Sequence, residues 1–314
     1  MLEAERAAYA DEAGDDLEEE GPTVNDLSYH EYRPKKFPHG LPHPDILVES
    51  SSLAATDLPD VHYALRLPQS LIRSGVLSAP QLETVCYASQ VHEEYLPLPA
   101  HISPSPNTTN LNAASTYTNT NTNTSAYGKG KIQAPIPVAM RKGFFLGDGA
   151  GVGKGRQLAG IIYENYLHNR RRHLWFSASS DLQLDAQRDL SDIGADVIDC
   201  HKTLSMHRGK VVLGDGVLFN TYSGLISSAQ GKRRVQQIVE WCGGSSFQGC
   251  ILFDECHKAK NLIPHAGRKP TQMGLVVKEI QELLPHARVV YCSATGCSEP
   301  ADMAYMLRLG LWGA

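Results

Sequence analysis

Leu146-Gly147-Asp148-Gly149-Ala150-Gly151-Val152-Gly153-Lys154-Gly155-Arg156 is the stretch on which the reading of the whole chain turns. It follows a short apolar run, Phe144-Phe145-Leu146, and opens a helical pattern carried by Leu158, Ala159, Ile161 and Ile162. A glycine-rich turn between strand and helix lets successive backbone N–H groups converge on phosphate oxygens, and the helix N-terminus adds its positive dipole. The expected cradle is the backbone of Gly149, Ala150, Gly151, Val152, Gly153 and Gly155, with Lys154 reaching the β- and γ-phosphates. Two positions depart from the GxxxxGK[ST] pattern. Asp148 stands at the first glycine, and Gly155 replaces the Ser or Thr whose hydroxyl normally ligates Mg²⁺. A strand–helix turn that binds nothing is the plainer alternative.

Outward from this loop, short apolar runs alternate with helical segments. The runs lie at 173–176, 197–198, 217–219, 251–253 and 289–291, with helices starting near Lys154 and Asp181 and another at 232–241. Continuous apolar strands between amphipathic helices predict βαβ crossovers and a parallel sheet covered on both faces, a three-layer α/β domain. Upstream, Leu82, Val85, Cys86 and Ser89 recur at helical spacing within 78–95, where Ser78 can cap the start.

One of these strands, Cys250-Ile251-Leu252-Phe253, runs into Asp254-Glu255-Cys256-His257. A carboxylate at the C-terminal end of a parallel strand stands where such sheets bind ligands. Asp254 can hold Mg²⁺ through water, and Glu255 can polarise an attacking water. Strands also end in acidic residues for no chemical reason, so the weight comes from the combination with Lys154 in one α/β domain. Val289-Val290-Tyr291-Cys292 leads in the same way into Ser293-Ala294-Thr295-Gly296, two hydroxyls after a strand. Ser177, Tyr222 and Ser223 end further strands on the same expected side.

The order of these three motifs resembles the first RecA-like lobe of superfamily 2 helicases. More closely, the chain resembles the strawberry notch family, through Ile161-Ile162-Tyr163-Glu164-Asn165-Tyr166-Leu167 and Phe253-Asp254-Glu255-Cys256-His257-Lys258-Ala259-Lys260-Asn261 among other stretches. The resemblance implies an ATP- and Mg²⁺-dependent DExH helicase-like ATPase in the nucleus, a transcriptional co-regulator acting at chromatin. Its partners would be nucleic acid or chromatin and transcription regulators. It places Gln81 as the residue that reads adenine, since a carboxamide can pair with the N6/N7 edge. His257, Ser293 and Thr295 would couple nucleotide state to a partner lobe. The rival is a non-hydrolysing scaffold that holds chromatin or transcription-factor partners, which the missing hydroxyl at Gly155 favours and the Asp254-Glu255 pair opposes.

Composition bounds these readings. Hydrophobic residues are 42% and charged residues 20% of 314, enough for a sizeable core and against wholesale disorder. No run approaches the roughly 18 to 20 apolar residues of a membrane-spanning helix, so no membrane partner is expected. The seven cysteines contain no CxxC pair, which argues against a disulfide framework. The net charge of −5 is uneven: residues 1–20 hold nine acidic side chains against Arg6, leaving a slightly basic remainder. The short clusters Arg170-Arg171-Arg172 and Lys232-Arg233-Arg234 read as solvated faces or as phosphate-backbone contacts.

The organisation expected is an acidic disordered tail at 1–27, an extended lead-in at 28–57, and one lobe at 58–314 with a low-complexity Asn/Thr insertion at 103–137. Length alone suggests two domains. The motifs instead place 58–314 in a single lobe. The resemblance to superfamily 2 helicases implies a second lobe that supplies an arginine finger, worth on the order of 10³ to 10⁵ in rate. The chain is therefore expected to be a fragment or truncated product that binds nucleotide weakly and hydrolyses it hardly at all.

Overall fold

A computed structural model describes residues 29–98, 138–202, 214–226, 228–264, 269–295 and 299–311. The acidic tail at 1–27 and the insertion at 103–137 lie outside the described residues. Two compact units are present. In the smaller, β1 (Tyr29–Glu31) pairs antiparallel with β2 (Val48–Ser50), and Ser50 caps a single-turn helix, α1 (Ser51–Ala54). Residues 33–44 group with the larger unit and residues 45–58 with the smaller.

The larger unit is built on six strands: β3 (Phe144–Leu146), β4 (Arg172–Ser177), β5 (Cys200–Lys202), β6 (Gly216–Thr221), β7 (Cys250–Asp254) and β8 (Arg288–Cys292). Their order across the sheet is β3-β8-β7-β4-β6-β5, and every pairing is parallel. The helices are α2 (Gln69–Ser74), α3 (Ala79–Val91), α4 (Lys154–Leu167), α5 (Leu182–Asp192), α6 (Tyr222–Ile226), α7 (Ser228–Cys242) and α8 (Gln272–Leu283).

Side chains alternate across a strand, so each apolar run feeds two cores. Trp175, Phe219, Leu252 and Val290 face one way and pack with Leu82 and Val85 of α3, Leu158 and Ile162 of α4, and Ala186 and Leu190 of α5. Leu174, Phe176, Ile251, Phe253, Val289 and Tyr291 face the other way, against Leu225 of α6, Ile238 of α7 and Val277 and Ile280 of α8. Phe176, Phe253 and Tyr291 stack in a row across three strands, with ring centroids 5.4 and 5.9 Å apart. The three-layer α/β fold expected from the alternation of runs is the fold observed.

Three boundaries differ from the sequence expectation; the helix expected at 232–241 already begins at Ser228. The strand placed at 197–198 begins at Cys200, where pairing with Val217 starts, and Val197 is 69% exposed. Gly194, at φ +74, turns the chain after α5, so residues 195–199 serve as the approach to the sheet edge. The helix expected over 78–95 ends at Val91, because Tyr95 bridges to Arg141 and the Leu96 N–H donates to the Met140 carbonyl.

Candidate nucleotide site

The register of the sheet brings the motif-bearing strand ends into one row. Leu146 pairs with Cys292, Cys292 with Asp254, and Ser177, one residue beyond the Phe176–Phe253 pair, lies level with Thr221. The glycine loop leaves this row after Leu146, Ser293 leaves it after Cys292, and Glu255 leaves it after Asp254. Neighbouring strands lie about 4.8 Å apart, so the loop and the carboxylate pair stand about 10 Å apart with the Ser293 strand between them. Loops leaving the carboxyl edge of a parallel sheet are where such folds take ligands.

Within the loop, Lys154 donates from Nζ to the carbonyls of Asp148 and Gly149 at 2.9 and 3.0 Å. Asp148, the residue in place of glycine, is held by Gln157, whose Nε2 donates to Oδ2 at 2.9 Å. Gly153 opens α4 in the left-handed conformation at φ +78. A Cβ there would press on Nε2 of Gln81, so both backbone and neighbour select glycine. Gln81 uses both ends of its carboxamide. Oε1 accepts the Ser78 N–H at 2.9 Å, closing the first turn of α3, and Nε2 donates to the Val152 carbonyl at 2.8 Å. Beyond Gly149 and Gly151 there is open space within 4 Å.

A triphosphate fits these features. The loop has room beside its glycines, a helix N-terminus behind it, and an ammonium parked on carbonyls that phosphate oxygens can replace.

At the second strand, Asp254 accepts from Ser177 Oγ through Oδ2 at 2.9 Å and from the Glu255 N–H through Oδ1 at 3.0 Å. The Tyr222 hydroxyl donates to its backbone carbonyl at 2.8 Å. Burial, foremost, pushes the Asp254 carboxyl above the usual carboxylate range, with Ser177 opposing. An oxygen donor so placed and oriented suits a hard divalent cation. Glu255 adopts φ +48, a left-handed conformation uncommon outside glycine, which turns the chain sharply off the strand. Its Oε2 lies 3.3 Å from His257 Nδ1. The same nitrogen lies 3.0 Å from Ser293 Oγ, and Ser293 Oγ lies 3.1 Å from Thr295 Oγ1. The structure thus brings Glu255, His257, Ser293 and Thr295 into one chain of polar contacts across β7 and β8. Burial lowers the His257 imidazole from its ordinary value, against the pull of Glu255.

Three features escape the motifs. Ser177 holds Asp254 from an adjacent strand, 77 residues away. Its place after a strand is visible in the sequence, its partner is not. Gly155, which reads as a loss, has its side-chain volume taken: a Cβ there would fall onto Oδ2 of Asp189 in α5. Burial, first among its causes, raises the Asp189 carboxyl, with Arg188 and Arg156 opposing. Finally, Arg170-Arg171-Arg172 stands at the opposite edge of the sheet, where β4 begins. Arg171 lies over the Tyr166 ring, and Arg172 reaches Asp215 and the Trp241 carbonyl. Those engagements make the cluster part of the fold rather than an open basic face.

The family model described as P-loop containing NTP hydrolase pore-1 matches residues 42–314. The chain is 45% identical over 303 residues to Protein FORGETTER 1 of Arabidopsis thaliana, covering 95% of this chain and 20% of that protein. It is 48% identical over 298 residues to Protein strawberry notch homolog 1 of Rattus norvegicus, covering 91% of this chain and 20% of that one. To Protein strawberry notch of Drosophila melanogaster it is 44% identical over 318 residues, covering 98% and 17%. The chain thus spans about a fifth of the length of the curated relatives it matches. Among solved structures, the Sulfolobus solfataricus SWI2/SNF2 ATPase core in complex with dsDNA is similar at a TM-score of 0.38 and 16% identity. That match covers 53% of this chain and 31% of the other. With the fold, the loop and these matches together, the chain is a RecA-like P-loop NTPase lobe, a homologue of the strawberry notch proteins, and belongs to the family described as P-loop containing NTP hydrolase pore-1.

Proposed function

We propose that this lobe binds ATP with Mg²⁺ as part of a strawberry-notch-like DExH ATPase. The observation that carries the reading is the single row of strand ends, with the glycine loop and Lys154 at one end and Asp254-Glu255 two strands away. Lys154 exchanges the carbonyls of Asp148 and Gly149 for phosphate oxygens, and the backbone of residues 149–155 closes round the triphosphate. Asp254, steadied by Ser177, is the residue that would hold Mg²⁺ through water. When bound, that ion supplies neutralisation of phosphate charge. Glu255 accepts a proton from water, and His257, Ser293 and Thr295 relay the state of the site to a partner lobe. Gln81 Nε2 has a second N–H and Oε1 a second lone pair, so the residue can read adenine while it holds the Val152 carbonyl, which ties base recognition to the shape of the loop.

Action in regulation of transcription, at chromatin and in the nucleus, with nucleic acid and transcription regulators as partners, is supported by the likeness to strawberry notch proteins alone. A non-hydrolysing scaffold is the second reading, favoured by the missing hydroxyl at Gly155. A steady-state ATPase assay against Glu255→Gln, made with the lobe joined to a second lobe, separates the two. A rate lost in the variant supports hydrolysis, and equal background rates support the scaffold.

A further inference from the structure

Gly155 and Asp189 make one arrangement from two residues that look unrelated in the sequence. A hydroxyl at position 155 would stand on a Cβ, and the space for that Cβ is filled by Oδ2 of Asp189, projecting from α5. The other oxygen, Oδ1, has Arg188 Nη2 at 3.6 Å, a long ion pair from an arginine that is 61% exposed. Asp189 itself is 15% exposed. Desolvating a carboxylate is costly unless a cation or good donors meet it, and an apolar side chain would fill the same volume against a glycine at lower cost. The two helices are pinned at this crossing by Arg156 and Asp192, 2.8 Å apart, one turn along α5. The carboxylate lies against Gly155, the residue that follows the phosphate-loop lysine.

We propose that Asp189 supplies, from the neighbouring helix, the oxygen that Gly155 removes from the loop, as a ligand to the nucleotide's divalent cation or to a water on it. The assignment rests on the nucleotide reading above. The swap is chemically conservative, because hard divalent cations take carboxylate oxygens as readily as hydroxyls. It also makes the loop's departure from its pattern a relocation rather than a defect. An added negative charge near the phosphates is tolerated only with the cation present, so Asp189 makes binding more dependent on metal.

The test is ATP affinity, by titration calorimetry on the whole 314-residue chain, in excess MgCl₂ and again in excess EDTA. Asp189→Asn keeps the shape and removes the charge. Expected is a loss of about tenfold or more in affinity with Mg²⁺, the size seen when metal-site support is removed, and no loss in EDTA. Gly155→Ser combined with Asp189→Ala puts the hydroxyl where the carboxylate was, and should recover most of the Mg²⁺-dependent affinity. Equal weakening in both buffers would mark Asp189 as packing only, and no change in either would remove it from the site; both overturn the proposal. If the unaltered chain bound ATP in neither buffer, the phosphate-loop reading would fall and this assignment with it.

Discussion

The two edges of the central sheet use polar side chains in opposite ways. At the carboxyl edge, Lys154, Glu255 and His257 are partly exposed and bonded to groups that a ligand can displace or recruit. At the amino edge, the polar groups are buried and bonded chiefly to the backbone of the fold, although Arg308 Nε, His92 Nδ1 and His173 Nε2 are left without a partner among the described residues. Arg308 is fully buried and donates to the carbonyls of Pro285 and Leu284 at 2.7 and 2.9 Å, and to those of Arg141 and Gln281. These carbonyls include those at the end of α8, where a cation also meets the negative end of the helix dipole. Burial lowers its guanidinium to about 10. His92 and His173 are fully buried, and burial pushes both down to about 3, so they are neutral. A charge that the fold buries and bonds to its own backbone is there for stability. A charge that the fold leaves partly satisfied is available for chemistry.

Arg308→Met offers the harshest test of this contrast. It removes the guanidinium from four carbonyls, of which those of Pro285 and Leu284 keep a backbone N–H, and should cost about 3 to 5 kcal/mol, read from urea denaturation, with ATP affinity per folded molecule unchanged. A cost under about 1 kcal/mol would mean the amino edge is not held together this way.

Acid comes next. The folded pKa of His92 and of His173 lies below the unfolded value, so the folded state binds fewer protons as pH falls. Their contribution is whole above about pH 6.5 and is lost as pH drops from there towards the folded value. Each should remove about 2 kcal/mol by pH 5. Asp189 and Asp254, whose carboxyls are raised, work in the opposite sense and relieve part of the loss at the acid end. A denaturation midpoint that stays flat from pH 7 to 5 would contradict neutral buried histidines.

Lys154→Ala should weaken ATP binding by roughly 10- to 100-fold, or about 1.4 to 2.8 kcal/mol, while leaving the melting temperature in place. Unchanged affinity would remove the lysine from the site. Ser177→Ala is the mildest case. Asp254 keeps the Glu255 N–H, so the loss should be about 1 kcal/mol, confined to the Mg²⁺-dependent part of ATP binding. A larger loss in stability than in affinity would move Ser177 from the chemical edge to the structural one.

Much of the carboxyl edge is legible along the chain, because the loop and the carboxylate pair are local motifs and each closes a strand. Gly149 to Gly155 can be placed from composition and spacing alone, and so can Asp254 and Glu255. The amino edge is hardly legible. Nothing around Arg308 in the sequence announces that it ends a helix begun at Gln272, and Arg170-Arg171-Arg172 reads as an open basic patch until Tyr166, Asp215 and Trp241 are seen to engage it. The displaced strand at 197–198 has a similar cause. Apolarity marks Val197, but pairing with β6 decides where the strand begins.

By itself, then, the sequence determined the alternation of strands and helices, the phosphate loop, and the acidic pair, because each depends on neighbours within a few residues. Only the tertiary structure decided that Leu146, Cys292 and Asp254 end in one row, that Ser177 holds Asp254, and that Asp189 fills the place left by Gly155. Those contacts join residues tens of positions apart. They exist because the crossover helices pack at a set height on the sheet, and no local spacing rule records that height.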